Sequence, residues 1–144
     1  GVRVALGTDG AAANNNLDMF ETMKLAALLQ KHTTGDPATL TAHEAFAMAT
    51  VAGADALGLN AGLIEEGRRA DLVLIDLERP YLCPGHDLVA DLVYAGRPDC
   101  VDTVIVDGRV VLQGGRHAEA PTIFAEARQA AADLLGRARA AAGS

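Results

Sequence analysis

The chain has 144 residues, of which half are hydrophobic but only 3% are aromatic, and it has no tryptophan. This length suffices for one domain or slightly more, with an aliphatic, alanine-rich core. Twelve Lys and Arg against 19 Asp and Glu give a formal net charge of -7, which argues against a generic nucleic-acid or anionic-membrane surface. No apolar run reaches the ~20 residues that cross a bilayer. The two cysteines, Cys83 and Cys100, are too few for a disulfide framework, so we expect a reducing, cytoplasmic setting with no nucleic-acid or membrane partner.

The first residues predict a strand, a loop and a helix. Residues 2–7 are mostly apolar and rich in β-branched side chains, and Asp9 follows them after Thr8. The loop 10–16 contains three asparagines, and a helix is predicted from residue 17 to about residue 32, with Asn16 as its N-cap. Ligands gather at the carboxyl ends of strands in α/β folds. Asp9 is therefore either a catalytic carboxylate or a turn cap, and this stretch alone does not decide between them.

A second helix is predicted over residues 42–57. Thr41 and Glu44 have the spacing of a capping box, in which each side chain binds the backbone N–H of the other residue. Gly58 has the position of a C′ glycine that ends the helix. Gly53 weakens the helix interior, which suggests that another element packs closely against it.

Shorter β segments follow. Residues 72–76 form a nearly continuous apolar strand, expected to be buried on both faces when paired. Residues 87–94 fit a short helix or a strand, and we favour a short helix followed by extended chain. Residues 101–112 predict a hairpin whose strands are joined by Asp107 and Gly108, residues that tolerate a type I′ turn. Residues 122–142 predict a long alanine-rich helix whose apolar face must dock on another surface.

Taken together, these segments resemble the metal-dependent amidohydrolase superfamily. Residues 6–10 and 14–19 are similar to the last barrel strand and the loop after it, most closely those of 5-methylthioadenosine/S-adenosylhomocysteine deaminases, with chlorohydrolases near by. Residues 52–59 and 62–76 are similar to the superfamily pattern that contains GAxALGL and ADLV, and residues 101–111 are similar to its closing hairpin. Several motifs in the same order make the resemblance specific.

The resemblance covers about residues 1–117 and implies an α/β fold, in which a (β/α)₈ TIM barrel carries the metal and both chain ends build a small β-sandwich. Such a barrel needs about 250 residues, so the fold of this chain is incomplete. Residues 1–58 would be the C-terminal end of the barrel, residues 59–117 the sandwich portion with hairpin 101–112, and residues 118–144 a C-terminal helix. Because the chain enters an apolar strand at its second residue, we expect it to be the tail of a longer protein.

The resemblance also implies a divalent metal ion, usually zinc, and hydrolysis of a C–N bond in an adenine-type nucleoside. Asp9 corresponds to the aspartate of the final barrel strand, which serves as a metal ligand and as part of the general base. Asn14 and Asn15 would contact the substrate or merely order the loop. The sequence has no His-x-His motif, and its four histidines stand alone. We therefore expect the isolated chain to be inactive, and the full-length protein to be a homo-oligomer.

Two alternatives stay open. The chain could be a non-catalytic α+β module that binds a partner or oligomerises, with Asp9 as a structural cap. It could also belong to another amidohydrolase, such as a chlorohydrolase or a guanine or cytosine deaminase. If the barrel assignment is right, residues 2–6 lack their strand neighbours in the isolated chain, and we expect it to self-associate.

Overall fold

A computed structural model describes residues 2–142, so Gly1, Gly143 and Ser144, at the ends of the predicted units, lie outside the described residues. In this part of the chain, the helices before the first strand and a further helix between the first and second strands form a helical half, the three strands form one sheet, and a long helix follows the last strand. The helices are α1 (Ala11–Asn14), α2 (Met19–Thr34), α3 (Ala42–Ala49), α4 (Val51–Ala56), α5 (Leu88–Tyr94) and α6 (Ala120–Ala142), and the strands are β1 (Leu72–Ile75), β2 (Val101–Val106) and β3 (Arg109–Leu112). Two short 3₁₀ turns, Pro80–Leu82 and Pro98–Cys100, flank α5.

The predicted strand over residues 2–7 is wrong for this chain, because these residues run as extended coil without a strand partner. A strand needs a neighbouring backbone to satisfy its N–H and C=O groups. The backbone of this segment is instead anchored by the N–H of Leu6, which donates to the carbonyl oxygen of Met48 at 2.9 Å. Leu6 also packs against the core of the helical half. The segment is thus held against α3 and carries Asp9 on its far end.

Helix α2 begins two residues later than predicted, and its N-cap is Asp18 rather than Asn16. The Asp18 carboxylate accepts hydrogen bonds from the N–H groups of Phe20 and Glu21 at 2.9 and 3.2 Å. Asn16 donates its side-chain amide to the Glu21 carboxylate instead. Both asparagine and aspartate suit an N-cap, so composition alone did not distinguish the two positions.

The capping box at the start of α3 is confirmed. Thr41 N–H donates to the Glu44 carboxylate at 2.7 Å, and Glu44 N–H donates to the Thr41 hydroxyl at 3.3 Å. The single helix predicted over 42–57 is instead two helices, because Thr50 has non-helical φ and ψ of -126° and -93°. Its hydroxyl donates to the Phe46 carbonyl oxygen at 2.8 Å, a local bond that competes with the helical ladder.

Two glycine predictions have opposite outcomes. Gly58 ends α4 in the left-handed region, and its N–H and that of Leu59 donate to the carbonyls of Asp55 and Ala54, as expected of a C′ residue in a Schellman motif. The close packing expected at Gly53 is wrong, since a Cβ there would meet open space. One tight position is instead Gly96, where a Cβ would lie 2.3 Å from the carbonyl oxygen of Leu92.

The core lies between α2, α3 and α5. Small and flexible side chains let these helices approach closely, as expected of an alanine-rich, aromatic-poor composition. One buried cluster joins the three helices and a second lies beneath the 3₁₀ turns, and Phe20 and Phe46 contact both. The buried members are Met23, Ala27, Ala42, Ala45 and Val93 in the first cluster, and Leu82, Leu92 and Cys100 in the second.

The antiparallel sheet has the order β1-β2-β3, and the predicted hairpin of β2 and β3 is confirmed. Asp107 and Gly108 have φ values of 50° and 77°, the positive pair that a type I′ turn requires. The expectation that β1 is buried on both faces is wrong, because Val73 and Leu74 are 55% and 46% exposed. Within residues 2–142 the structure has this one sheet, and no second sheet packs against it.

The terminal helix predicted over residues 122–142 is confirmed as α6, which begins two residues earlier, at Ala120. The surface on which it was expected to dock is not found among residues 2–142. None of its described side chains is buried, and Ile123, Phe124, Leu134 and Leu135 are all exposed. The helix is about 34 Å long. In the described part of the chain, no helix has both the length and the apolar character of a membrane span.

Candidate functional site

Asp9 lies at the end of the extended segment, in a backbone conformation that few residue types adopt. Its φ is 59°, in the left-handed region, which asparagine and aspartate tolerate better than most side chains. The Asp9 Oδ1 atom accepts a hydrogen bond from the Gly10 N–H at 2.6 Å. Backbone positions of this kind are concentrated at functional sites. The carboxylate is exposed and has lone pairs beyond the one that Gly10 uses.

Asn14 holds the peptide that precedes Asp9. Its side-chain Nδ2 donates to the Thr8 carbonyl oxygen at 3.0 Å, and its backbone N–H donates to the Gly10 carbonyl oxygen, also at 3.0 Å. The Thr8 hydroxyl donates in turn to the Asp9 carbonyl oxygen at 3.1 Å. The first turn of α1 and the end of the extended segment therefore form one hydrogen-bonded unit around Asp9.

The three consecutive asparagines have three different roles. Asn14 is bonded to Thr8, as described. Asn15 is the C-cap of α1 with φ 62°, and its backbone N–H donates to the Ala11 carbonyl oxygen at 3.0 Å. Asn16 accepts from the Asp18 N–H at 3.3 Å and donates to Glu21. Much of the asparagine run is thus engaged in ordering the loop, which was the second of the two roles considered for it.

An open cleft of about 390 Å³ brings some of the predicted site residues together. Asp9 and Asn14 both line it, whereas Asn15 does not. Sequence inspection missed the opposite wall, which α2 supplies through Thr22, Leu25 and Ala26. The spacing of Thr22 and Ala26 places them on one helix face, but nothing in the sequence indicates that this face lies opposite Asp9.

The described residues do not make a metal site by themselves. Among residues 2–142, no group of three or more His, Cys, Asp or Glu side chains lies close enough to hold an ion. Zinc in proteins has four ligands, three of them from the protein in catalytic sites. Asp9 is the one candidate that the sequence indicated, and it would need ligands from outside the described chain to complete a site.

The two groups with shifted pKa values lie outside the cleft. Hydrogen bonds from the Thr41 backbone and hydroxyl lower the pKa of Glu44. Burial against its neighbours, and then the hydrogen bond to Asp99, raise the pKa of Tyr81. The Tyr81 hydroxyl donates to Asp99 Oδ1 at 2.9 Å, and the Arg97 guanidinium lies 4.9 Å from the centre of the Tyr81 ring. Both shifts have structural causes, since they arise where a helix is capped and where two 3₁₀ turns meet.

The sequence matches the profile of the amidohydrolase family over residues 1–111. It is 52% identical over 140 residues to the 5-methylthioadenosine/S-adenosylhomocysteine deaminase of Pelotomaculum thermopropionicum, covering 95% of this chain and 32% of that protein. It is also 46% identical over 142 residues to the 5'-deoxyadenosine deaminase of Methanosarcina acetivorans, covering 97% of this chain and 33% of that protein. The chain thus spans about a third of the length of the curated relatives it matches.

Solved structures are also similar to this chain over most of its length. An adenosine deaminase from Xanthomonas campestris with bound zinc is similar with a TM-score of 0.85 and 38% identity, over 89% of this chain and 30% of that one. The atrazine chlorohydrolase of Arthrobacter aurescens, complexed with zinc, has a TM-score of 0.73 and 30% identity, over 87% of this chain and 29% of that one. Both similarities extend over most of the described chain and under a third of the other protein.

Proposed function

The chain belongs to the amidohydrolase family, and we propose that it is the C-terminal portion of a metal-dependent enzyme that deaminates adenine-type nucleosides. The observation that carries this proposal is the 46–52% identity, over at least 95% of the chain, to proteins named as deaminases of 5-methylthioadenosine, S-adenosylhomocysteine or 5'-deoxyadenosine. The substrate class is therefore an adenine nucleoside altered at its 5' position.

Three features of the fold support the proposed division of the chain. Residues 1–58 would end a (β/α)₈ barrel, which accounts for an apolar extended segment without a strand neighbour. Residues 59–117 would be one part of a β-sandwich, which accounts for a single-layer sheet with exposed Val73 and Leu74. Residues 118–144 would be a terminal helix, and α6 leaves its apolar side chains exposed.

Asp9 is the residue that we propose for the chemistry. In the complete protein it would be one ligand of a divalent ion, which we propose to be zinc because two similar structures contain zinc. A bound zinc ion lowers the pKa of a water to about 7 and so provides hydroxide at neutral pH. The Asp9 carboxylate, whose Oδ1 accepts a hydrogen bond from the Gly10 N–H, would take up the proton that this water loses, as part of the general base. Hydrolysis replaces the amino group of the purine by oxygen and releases ammonia.

The structure supports different roles for Asn14 and Asn15. Asn14 lines the cleft beside Asp9, but its side-chain amide already donates to Thr8, which supports an ordering role. Asn15 does not line the cleft and caps α1 through its backbone N–H, so a substrate contact by Asn15 has little support. A cytoplasmic location and a homo-oligomeric state stay predictions, and so does the inactivity of the isolated chain.

A second candidate function rests on one observation. Helix α6 exposes an apolar face, as an interaction module would. A chlorohydrolase is the less favoured enzyme, because its structural similarity and identity to this chain are lower than those of the zinc-containing adenosine deaminase.

The coding sequence upstream of Gly1 tests the proposal directly. We expect a His-x-His motif after an apolar strand and two further histidines at strand ends. The complete polypeptide, purified with zinc, should release ammonia from 5-methylthioadenosine, S-adenosylhomocysteine or 5'-deoxyadenosine. If the upstream sequence has no such histidines and the purified protein binds no metal, the interaction module becomes the better interpretation.

A further inference from the structure

We propose that Asn14 is a positioning residue for Asp9, and that it acts through the carbonyl of Thr8 rather than through the substrate. The inference rests on the proposed function for its catalytic consequence, but its structural part stands on the observed hydrogen bonds. It assigns to Asn14 a role different from the substrate contact considered from the sequence.

The geometry explains why a second residue is needed to place Asp9. A non-glycine residue in the left-handed region is strained and persists when the surrounding structure holds it there. The Asp9 peptide is held on its N-terminal side by the Asn14 side chain, which donates to Thr8 O at 3.0 Å. On its C-terminal side, the backbone N–H of Asn14 donates to Gly10 O. One residue therefore clamps both neighbours of Asp9.

The Asn14 side chain links α1 to the N-terminal side of Asp9. Without it, the backbone N–H groups of Ala13 and Asn14 still donate to Gly10 O and hold the C-terminal side of Asp9. On the N-terminal side, the bond from the Thr8 hydroxyl to the Asp9 carbonyl oxygen joins adjacent residues and does not fix Thr8 relative to α1. The bond from Asn14 spans six residues, and so it joins the extended segment to the helix that follows.

A matched control lies elsewhere in the chain. The Asn60 side-chain amide donates to the Gly67 carbonyl oxygen at 2.8 Å and spans seven residues in an exposed loop. This is the same kind of amide-to-carbonyl bond, and Asn60 does not line the Asp9 cleft. Replacing Asn60 by alanine should therefore reproduce the loss of one loop bond without affecting Asp9.

The test compares N14A, N14Q and N60A in the complete polypeptide encoded with this chain. In N14A we expect kcat to fall about 10- to 100-fold, the range found for residues that orient metal ligands. KM should stay within about threefold, because a residue that does not contact the substrate leaves substrate binding unchanged when it is replaced. N14Q retains the donor and should recover much of the rate, and N60A should have the same kcat and KM as the parent.

Hydrogen exchange of the Gly10 amide is the structural measurement. It should be about fivefold faster in N14A, as one lost hydrogen bond predicts, and unchanged in N60A.

Several results would overturn the proposal. An unchanged Gly10 exchange rate in N14A would show that Asn14 does not hold Asp9. A KM that rises while kcat stays constant would make Asn14 a substrate contact instead. An equal loss of rate in N60A would reduce the effect to general loop destabilisation. If the parent protein deaminates none of the three nucleosides, the proposed function fails, and the exchange rates still decide whether Asn14 positions Asp9.

Discussion

The Asp71 carboxylate accepts a hydrogen bond from the backbone N–H of Asp107 at 2.7 Å. The two residues are 36 positions apart, and the bond ties the residue before β1 to the turn between β2 and β3. The N–H of Gly108 donates to the Ala70 carbonyl oxygen at 3.0 Å beside it. This pair of bonds closes one end of the sheet, against which no second sheet packs within residues 2–142.

Replacing Asp71 by alanine should destabilise the sheet. The substitution removes the acceptor of the Asp107 N–H, and we expect the free energy of unfolding to fall by about 1–2 kcal/mol. Urea denaturation measures the change, and hydrogen exchange at Asp107 locates it. E66A, which removes an exposed carboxylate from the loop before β1, serves as the control and should leave both readouts unchanged. Equal stability of D71A and E66A would contradict the proposed role of the bond.

The D9N variant should separate chemistry from folding. Asparagine tolerates the left-handed conformation of Asp9 and keeps an acceptor for the Gly10 N–H, so the melting temperature should not change. Loss of the ionised carboxylate should lower kcat of the complete enzyme by about 10²- to 10⁴-fold, the contribution of a general base. The control is D36N, since Asp36 Oδ1 also accepts from a nearby backbone N–H, that of Ala38 at 2.8 Å. Full activity in D9N would remove Asp9 from the mechanism.

The capping box should make stability depend on pH. Because the Thr41 bonds lower the folded pKa of Glu44 below its ordinary value of 4.5, ionised Glu44 stabilises the fold above about pH 4.5. That contribution is lost as the pH falls through the lower, folded pKa. The T41A variant should therefore have a lower urea midpoint than the parent at pH 7, and the difference should shrink on acidification. A difference that is constant between pH 7 and pH 3 would argue against this linkage.

Gly96 and Gly53 should respond to alanine in opposite directions. At Gly96 a Cβ would lie 2.3 Å from the Leu92 carbonyl oxygen and 2.7 Å from a ring carbon of Phe20. Because backbone must shift to admit it, G96A should lower the free energy of unfolding by about 1–3 kcal/mol. G53A places a methyl group in open space on α4 and should raise stability by about 0.5–1 kcal/mol. Thermal unfolding of both variants measures this contrast, and a stabilised G96A would disprove the packing at that position.

Local sequence signals predicted the helix ends and turns well where one residue type dominates. The Thr41–Glu44 capping box, the Gly58 C′ position and the Asp107–Gly108 turn are all as predicted. The signal failed where neighbouring residues were equally suited, since Asn16 and Asp18 are both good N-caps and only Asp18 serves. It failed again at Thr50, because a break caused by a side-chain bond to the preceding turn has no distinctive composition.

The candidate site was predicted in part. Asp9 was identified because it follows an apolar segment and resembles the aspartate of a known family, and its left-handed backbone was not expected. The opposite wall of the cleft, formed by α2, could not be predicted. Which face of an amphipathic helix meets which loop depends on packing between segments far apart in the chain.

The sequence by itself determined the turns, the caps, most element positions and the family, because these depend on residues within a few positions of one another or on motifs read in order. Only the tertiary structure decided that the Leu6 N–H is bonded to Met48 and that the Asn14 side chain is bonded to Thr8, next to Asp9. It also decided that Val73 and Leu74 of β1 are exposed. Hydrogen bonds and burial of this kind are set by which surfaces come into contact. That depends on the three-dimensional path of the whole chain and not on any single stretch of it.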